Sequence, residues 1–162
     1  MNRWGARRAT TRFFSCISRL GDGGFWYVLI AGLALGGGVR GAHAALHMTL
    51  VGLVAATLYR SLKRWTRRAR PFRAHAEITA YLLPLDEFSF PSGHTLHAVS
   101  FSMIAIAWFP WLAAVLLPFT LLVAISRVVL GLHYPSDVLA ATFIGIVLAG
   151  ASFGVIPAGW IG

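Results

Sequence analysis

Apolar residues along this chain gather into runs of about 20, the length at which a helix crosses the hydrocarbon core of a bilayer, and short polar breaks separate them. No stretch alternates with the period of two that marks a strand. Residues 1–20, MNRWGARRATTRFFSCISRL, have helical period. Arg8, Arg12 and Arg19 share one side and Phe13, Ile17 and Leu20 another, which predicts an amphipathic helix lying in the membrane interface. A first, Gly-rich span runs from Gly21 to about Val39, and a second covers Ala42 to about Leu62. Residues 63–90 form the one long polar segment. A third span starts near Ser92 and stops at Phe109-Pro110, because Pro110 cannot continue that helix and suits the first turn of the next. The fourth runs from Trp111 to about Leu130, with Pro118 as an expected kink. After the break GLHYPSD the fifth runs from Pro135 to about Ile156. The expected fold is an all-α membrane protein of one domain, 1–162. Residues 1–20 form its amphipathic interfacial segment, and 21–162 a helical core of about five transmembrane helices.

Composition points the same way. Hydrophobic residues make up 57% of the chain and charged ones 12%, about half the charged share of a soluble domain. The single Cys16 permits no internal disulfide. Ala42-His43-Ala44 imitates a signal-peptidase site, but the basic region before it is too long and small residues occur throughout, so no cleavage is expected.

Charge adds a second layer. The net charge is +9, from 14 Lys and Arg against five acids. Arg3, Arg7, Arg8, Arg12 and Arg19 lie in the N-terminal segment. Arg60, Lys63, Arg64, Arg67, Arg68, Arg70 and Arg73 form a second cluster, and Arg40 and Arg127 stand apart. No soluble module with interleaved aromatics accompanies this charge, which argues against nucleic acid as a partner. Beside membrane spans such clusters set topology, meet lipid headgroups or hold a phosphorylated substrate.

Tracing the spans brings three unusual segments to one membrane face: KRWTRRARP, PSGH and SRVVLGLHYPSD. Each has a plain reading, as a positive-inside loop, an N-cap at Ser92 and a structural His–Asp cap. Each also has a chemical one. A helix N-terminus leaves backbone N–H groups free, and Gly93 lets an anion approach them. His94 in the first turn can donate a proton. Lys63 and Arg70 can clamp phosphate oxygens, leaving Arg64, Arg67 and Arg68 to set topology or attract anionic lipid. Arg127 lies in an apolar run, where an unpaired cation costs several kcal/mol at about membrane depth and is functional by default. Pro135 starts a helix with Asp137 in its first turn, where the helix dipole favours a carboxylate. From there Asp137 can accept from one ring nitrogen of His133 and leave the other unprotonated and nucleophilic.

Taken together these groups fit phosphoryl transfer. A phosphate monoester carries close to two negative charges, and Lys63, Arg70, Arg127 and the PSGH amides can stabilise an in-line displacement without a metal. His133 can attack phosphorus, forming a covalent intermediate, and His94 can protonate the leaving oxygen and later act as base for water. The acids Asp22, Glu77, Asp86, Glu87 and Asp137 form no ligand cluster in the sequence, so no metal or other cofactor is expected.

The pattern Lys63-x6-Arg70-Pro71, Pro91-Ser92-Gly93-His94 and Ser126-Arg127-x5-His133-x3-Asp137 resembles the tripartite motif of the type 2 phosphatidic acid phosphatases, membrane relatives of the vanadium haloperoxidases. The resemblance spans residues 63–137. It implies metal-free hydrolysis of a lipid phosphate or pyrophosphate. Phosphate binding falls to Lys63, Arg70, Ser92, Gly93 and Arg127, the acid role to His94, and the nucleophile role to His133 supported by Asp137. Many bacterial members look like six-span proteins with the site facing away from the cytoplasm, whereas this chain has room for five spans.

The expected partners are the bilayer of a bacterial-type inner membrane and a lipid phosphate: phosphatidic acid, phosphatidylglycerophosphate or an undecaprenyl (pyro)phosphate. The alternatives are a phosphotransferase that passes the group from His133 to another lipid, and a non-catalytic lipid-phosphate binding or transport protein. The sequence leaves the oligomeric state open. Positive-inside bias puts the site on the cytoplasmic face. His43 and His47 have ligand-like spacing but no carboxylate nearby, which argues against a metal there. His97 is expected to line the cleft, and a groove among spans one to three to sort the lipid tail.

Overall fold

The structure, a computed structural model, describes residues 8–82, 86–157 and 160. Arg3 and Arg7 of the expected interfacial segment, with the rest of 1–7, lie outside the described residues. In chain order the elements are α1 (Arg8–Leu20), α2 (Gly24–Gly36), α3 (Gly38–Thr66), α4 (Pro71–Ala74), α5 (Gly93–Trp108), a 3₁₀ turn (Pro110–Leu112), α6 (Ala113–Val129) and α7 (Pro135–Ser152). The all-helical reading holds, and no strand occurs among the described residues.

Small residues decide where the helices break and how closely they meet. α2, the segment expected as the first span, ends at Gly36, and Gly38, at φ 60°, turns the chain through a conformation that costs other residues energy. α2 then folds back along α3. A side chain at Gly41 would collide with the Leu33 carbonyl, and Trp26 packs on Phe101, whose ring fills the space that a side chain at Gly52 would need. The second span does not stop at Leu62. Nothing between Gly52 and Thr66 breaks a helix, so α3 continues for 29 residues and carries Lys63 in its last turn. Pro118 lies inside α6 without ending it.

Among the described residues, three stretches are long and apolar enough to cross a membrane: Gly38–Ala74, Pro110–Val129 and Pro135–Ser152. α2, with 13 residues, and α5, with 16, are shorter. Leu35, Leu53, Leu121, Leu139 and Phe143 are exposed on the outer surface, as expected of helices whose solvent is lipid.

The end of the bundle near Gly37 is closed by aromatic and imidazole groups. Trp108 Nε1 donates to His47 Nδ1 (3.1 Å), which leaves His47 Nε2 to donate to Ser152 Oγ (2.7 Å). His43 instead stacks on Trp160, ring centroids 4.0 Å apart. The two histidines with ligand-like spacing therefore serve different neighbours.

Candidate active site

The opposite end collects the polar segments, and local sequence explains each placement. After Lys63 the chain turns through Arg67, a left-handed residue whose N–H caps the Lys63 carbonyl. Arg70 then stands at the N-cap of α4, with Pro71 in its first turn. Ser92 caps α5 and accepts from Thr95 N, so the first amides of that helix, Gly93 and His94, have no acceptor within it. Arg127 ends α6, Gly131 (φ 72°) permits the following turn, and Pro135 opens α7. Asp137 Oδ2 accepts from Tyr134 N at 2.9 Å. A bond from Ser92 N to the Asp137 carbonyl (3.3 Å) ties the start of α5 to that of α7.

All eight residues singled out in the sequence meet here: Lys63, Arg70, Ser92, Gly93, His94, Arg127, His133 and Asp137. Most of their side chains are buried, Arg70 to 1% exposure and Arg127 to 3%. Buried cations persist only where hydrogen bonds replace water. Arg70 supplies the link to His133: its Nη1 donates to the Leu132 carbonyl (2.8 Å) and lies 3.4 Å from His133 Nε2. A guanidinium has only donors, so Nε2 is the ring nitrogen that accepts, and the proton of a neutral ring sits on Nδ1. Burial, reinforced by the positive charges of Arg127, Arg70 and Lys63, lowers the His133 pKa to about 3 against the opposing pull of Asp137. His133 is therefore neutral at ordinary pH.

Three expectations need correction. His133 Nδ1 is 3.6 Å from Asp137 Oδ2, beyond a hydrogen bond. The oxygens of Asp137 are held by Tyr134 N and by Arg68, whose Nη1 lies 2.7 Å from Oδ1. Arg68 is thus part of this cluster, rather than only a topology residue. His97 does not line the cleft: its ring lies between α3 and α5, with Nδ1 2.9 Å from the Gly93 carbonyl and Nε2 3.3 Å from that of Gly52.

The structure also brings in residues the sequence reading left out. Asp86 binds both phosphate-site candidates on its side, Lys63 through both oxygens (2.6 and 2.7 Å) and Arg70 Nη2 through Oδ1 (2.7 Å). Burial alone would raise its pKa, but the hydrogen bonds and charges of Lys63 and Arg70 outweigh this and hold it below the usual carboxylate range. Ser18 of α1 accepts from Arg127, and Asp22 from the α1–α2 turn contacts His94 Nε2. The available signal was scarcity: in a chain with five acids, each one near a basic motif deserved pairing with it.

Two cavities adjoin the cluster. One of about 380 Å³ is lined by Ser18, Asp22, Arg127 and Leu132. The other, of about 560 Å³, runs along α1 to Leu20 and Phe25. They share Arg19, Tyr81 and Leu82. These two cavities lie between α1, the start of α2 and the Tyr81–Leu82 segment. Three buried cations beside a neutral imidazole, with helix amides opposite, can hold a dianionic group against a nucleophile.

The family model described as the PAP2 superfamily matches residues 40–160. Phosphatidylglycerophosphatase B of Bacillus subtilis is 33% identical over 147 residues, 82% of this chain and 68% of that protein. Lipid A 1-phosphatase of Rhizobium johnstonii is 31% identical over 134 residues, 74% of this chain and 53% of that one. Among solved structures, a transmembrane PAP2-type phosphatidylglycerolphosphate phosphatase from Bacillus subtilis superposes with a TM-score of 0.73 at 28% identity, covering 92% of this chain and 77% of the other.

Proposed function

The chain belongs to the PAP2 superfamily, and from that premise we propose that it is an integral-membrane phosphatase that hydrolyses a lipid phosphate through a phosphohistidine. α2, α3, α5, α6 and α7 make five crossings, α2 and α5 being short and flanked by interfacial turns, and α1 lies along the surface. The substrate phosphate is held by Lys63, Arg70 and Arg127, by the Ser92 hydroxyl, and by the free amides of Gly93 and His94 at the start of α5. Its oxygens take over from Asp86 the bonds of Lys63 and Arg70.

His133 Nε2 attacks phosphorus, forming the P–N bond as the P–O ester bond breaks. The electron pair of that bond stays on the leaving oxygen, which takes a proton from His94. Water then gives a proton to His94 while its oxygen displaces Nε2, releasing phosphate. Through both steps the transferred group is stabilised by fixed cations and amide dipoles rather than by groups that must reorganise. The observation that carries this reading is the orientation of His133, whose unprotonated Nε2 faces Arg70 while Nδ1 turns toward Asp137.

The lipid is a phosphatidylglycerophosphate or a lipid A type phosphate, after the names of the relatives, or else the phosphatidic acid or undecaprenyl (pyro)phosphate expected from the sequence. The test is phosphate release from a short-chain lipid phosphate by detergent-purified protein, with and without an acceptor lipid. Hydrolysis supports the proposal, accumulation of phosphorylated acceptor supports a transferase, and binding without turnover supports a lipid-phosphate carrier.

A further inference from the structure

The α1–α2 turn, Gly21-Asp22-Gly23, is a fixed element. Gly21 N bonds the Ile17 carbonyl (3.0 Å) and Asp22 N the Arg19 carbonyl (3.1 Å). Gly23 sits at φ 127°, and a side chain at Gly21 would press on Val123 of α6. The turn is therefore docked on α6 and aims one carboxylate at one place. That place is the imidazole of His94: Asp22 Oδ1 meets Nε2, and the two side chains are 33% and 11% exposed.

The charges around His94 give this contact its meaning. Arg127 from α6 and Lys63 from α3 both face the ring, and Arg19 from α1 lines the same cavity as Asp22 and Arg127. Arg127 and Lys63 are thus positive charges beside the imidazole. Among the described residues, Asp22 is the acid that touches it.

We propose that Asp22 is a positioning residue for His94, holding its Nε2–H and stabilising the charged imidazolium, so that the other ring nitrogen, Nδ1, carries the proton that the departing alcohol takes. A carboxylate has only acceptors, so the nitrogen facing it carries the hydrogen. When the ester bond breaks, the Nδ1–H bond of the imidazolium breaks with it, an O–H bond forms on the departing alcohol, and the neutral ring keeps its Nε2–H on Asp22. Asp22 then helps His94 take the next proton from water. The site thus contains two imidazole–carboxylate pairs with opposite duties. Asp137 supports a ring that must offer a lone pair, and Asp22 supports a ring that must carry a proton.

This inference rests on the hydrolase reading above, and one set of kinetics separates the two. In Asp22→Asn, kcat for an alkyl lipid phosphate should fall about 10²-fold, the usual range for a lost proton donor. KM should stay within about threefold, and 4-nitrophenyl phosphate, whose alcohol departs without help, should lose less than about fivefold. Asp22→Glu should recover at least about tenfold of the lost rate, and aryl hydrolysis by each variant reports that its site is folded. In a His94→Ala background Asp22→Asn should add almost nothing, because both remove the same step. Equal losses on alkyl and aryl substrates, or an additive loss with His94→Ala, would overturn the role of Asp22. If the wild-type protein turns over neither substrate, the hydrolase reading itself fails. If the wild type and His94→Ala behave as proposed while Asp22→Asn matches the wild type, only this inference fails.

Discussion

Arg68 donates to Asp137 Oδ1 at 2.7 Å, joining a side chain that is 39% exposed to one that is fully buried. The same guanidinium reaches Ser136 Oγ (2.9 Å) and lies over the Tyr134 ring, 4.2 Å from its centroid. It thereby clamps the segment that presents His133. Hydrogen bonds to a buried charge contribute about 1.5–3 kcal/mol. Arg68→Ala should therefore lower kcat by about tenfold to a hundredfold, whereas Arg64→Ala on the exposed side of α3 should change it by less than about twofold. Steady-state rates of the two variants in one detergent decide this, and equal rates would remove Arg68 from the site.

His133→Ala should abolish turnover, since no P–N bond can form. Asp137→Asn should keep substrate binding and slow the reaction, by about 10³–10⁴-fold where a carboxylate controls the tautomer. Because the Nδ1–Oδ2 separation is 3.6 Å, that loss depends on the pair closing during turnover. Rapid quench with labelled substrate checks both variants: His133→Ala should give no acid-labile phosphoprotein, and Asp137→Asn a slowly formed one. His94→Ala should fail mainly with alkyl substrates, so an equal loss on aryl substrates would remove its acid role.

The helices were legible because burying an all-apolar stretch in lipid leaves one architecture open. The three motif segments were legible because Arg127 stands in an apolar run and because together, at one membrane face, they fit one chemistry that their separate plain readings do not. The partners were not. Ser18 reaches Arg127 across 109 positions, and Asp22 reaches His94 across 72. Such distances are set by how α1 packs on α6, and local pattern carries no record of that. The continuation of α3 through Lys63 was missed for a related reason. Basic residues at a helix end look like a loop until their stems are seen packed.

Low pH should destabilise the folded protein through His133. In the unfolded chain it takes a proton near its ordinary 6.5, and in the folded one only near 3. Between these values the unfolded state binds more protons, so stability falls as pH drops below about 6.5. Unfolding midpoints in detergent at pH 7 and pH 5 should fall further for the wild type than for His133→Asn. A midpoint that rises as pH falls would contradict the buried neutral imidazole.

Phosphate release should persist in excess EDTA, because Lys63, Arg70 and Arg127 supply the charge that a metal would otherwise bring. Orthovanadate, which adopts five-coordinate geometry, should inhibit competitively. Activity that EDTA removes and magnesium restores, or indifference to millimolar vanadate, would count against the cation-lined site.

Orientation in the membrane follows from the basic residues that the site itself does not use. Lys63, Arg70 and Arg127 belong to the phosphate site on this reading, and Arg68 is committed to Asp137, so none of the four bears on topology. Arg8, Arg12 and Arg19 of α1, and Arg60, Arg64, Arg67 and Arg73 in and after the last turns of α3, remain in the elements that carry Ser18, Lys63 and Arg70 of the site. Arg40 stands at the opposite end of α3, over the Phe109 ring. Lys and Arg near span ends are retained in the cytoplasm, so the site should face inward, with the turn after α7 outside. Single cysteines at Ala76 and Val155, both exposed, report on this once the exposed Cys16 is replaced by Ser. In intact cells an impermeant maleimide should label Val155→Cys and leave Ala76→Cys unmodified until the membrane is opened. The reverse pattern would place the site outside. The seven arginines would then have to be held against the retention rule by the site's own chemistry, with anionic substrate headgroups in the outer leaflet as their partners.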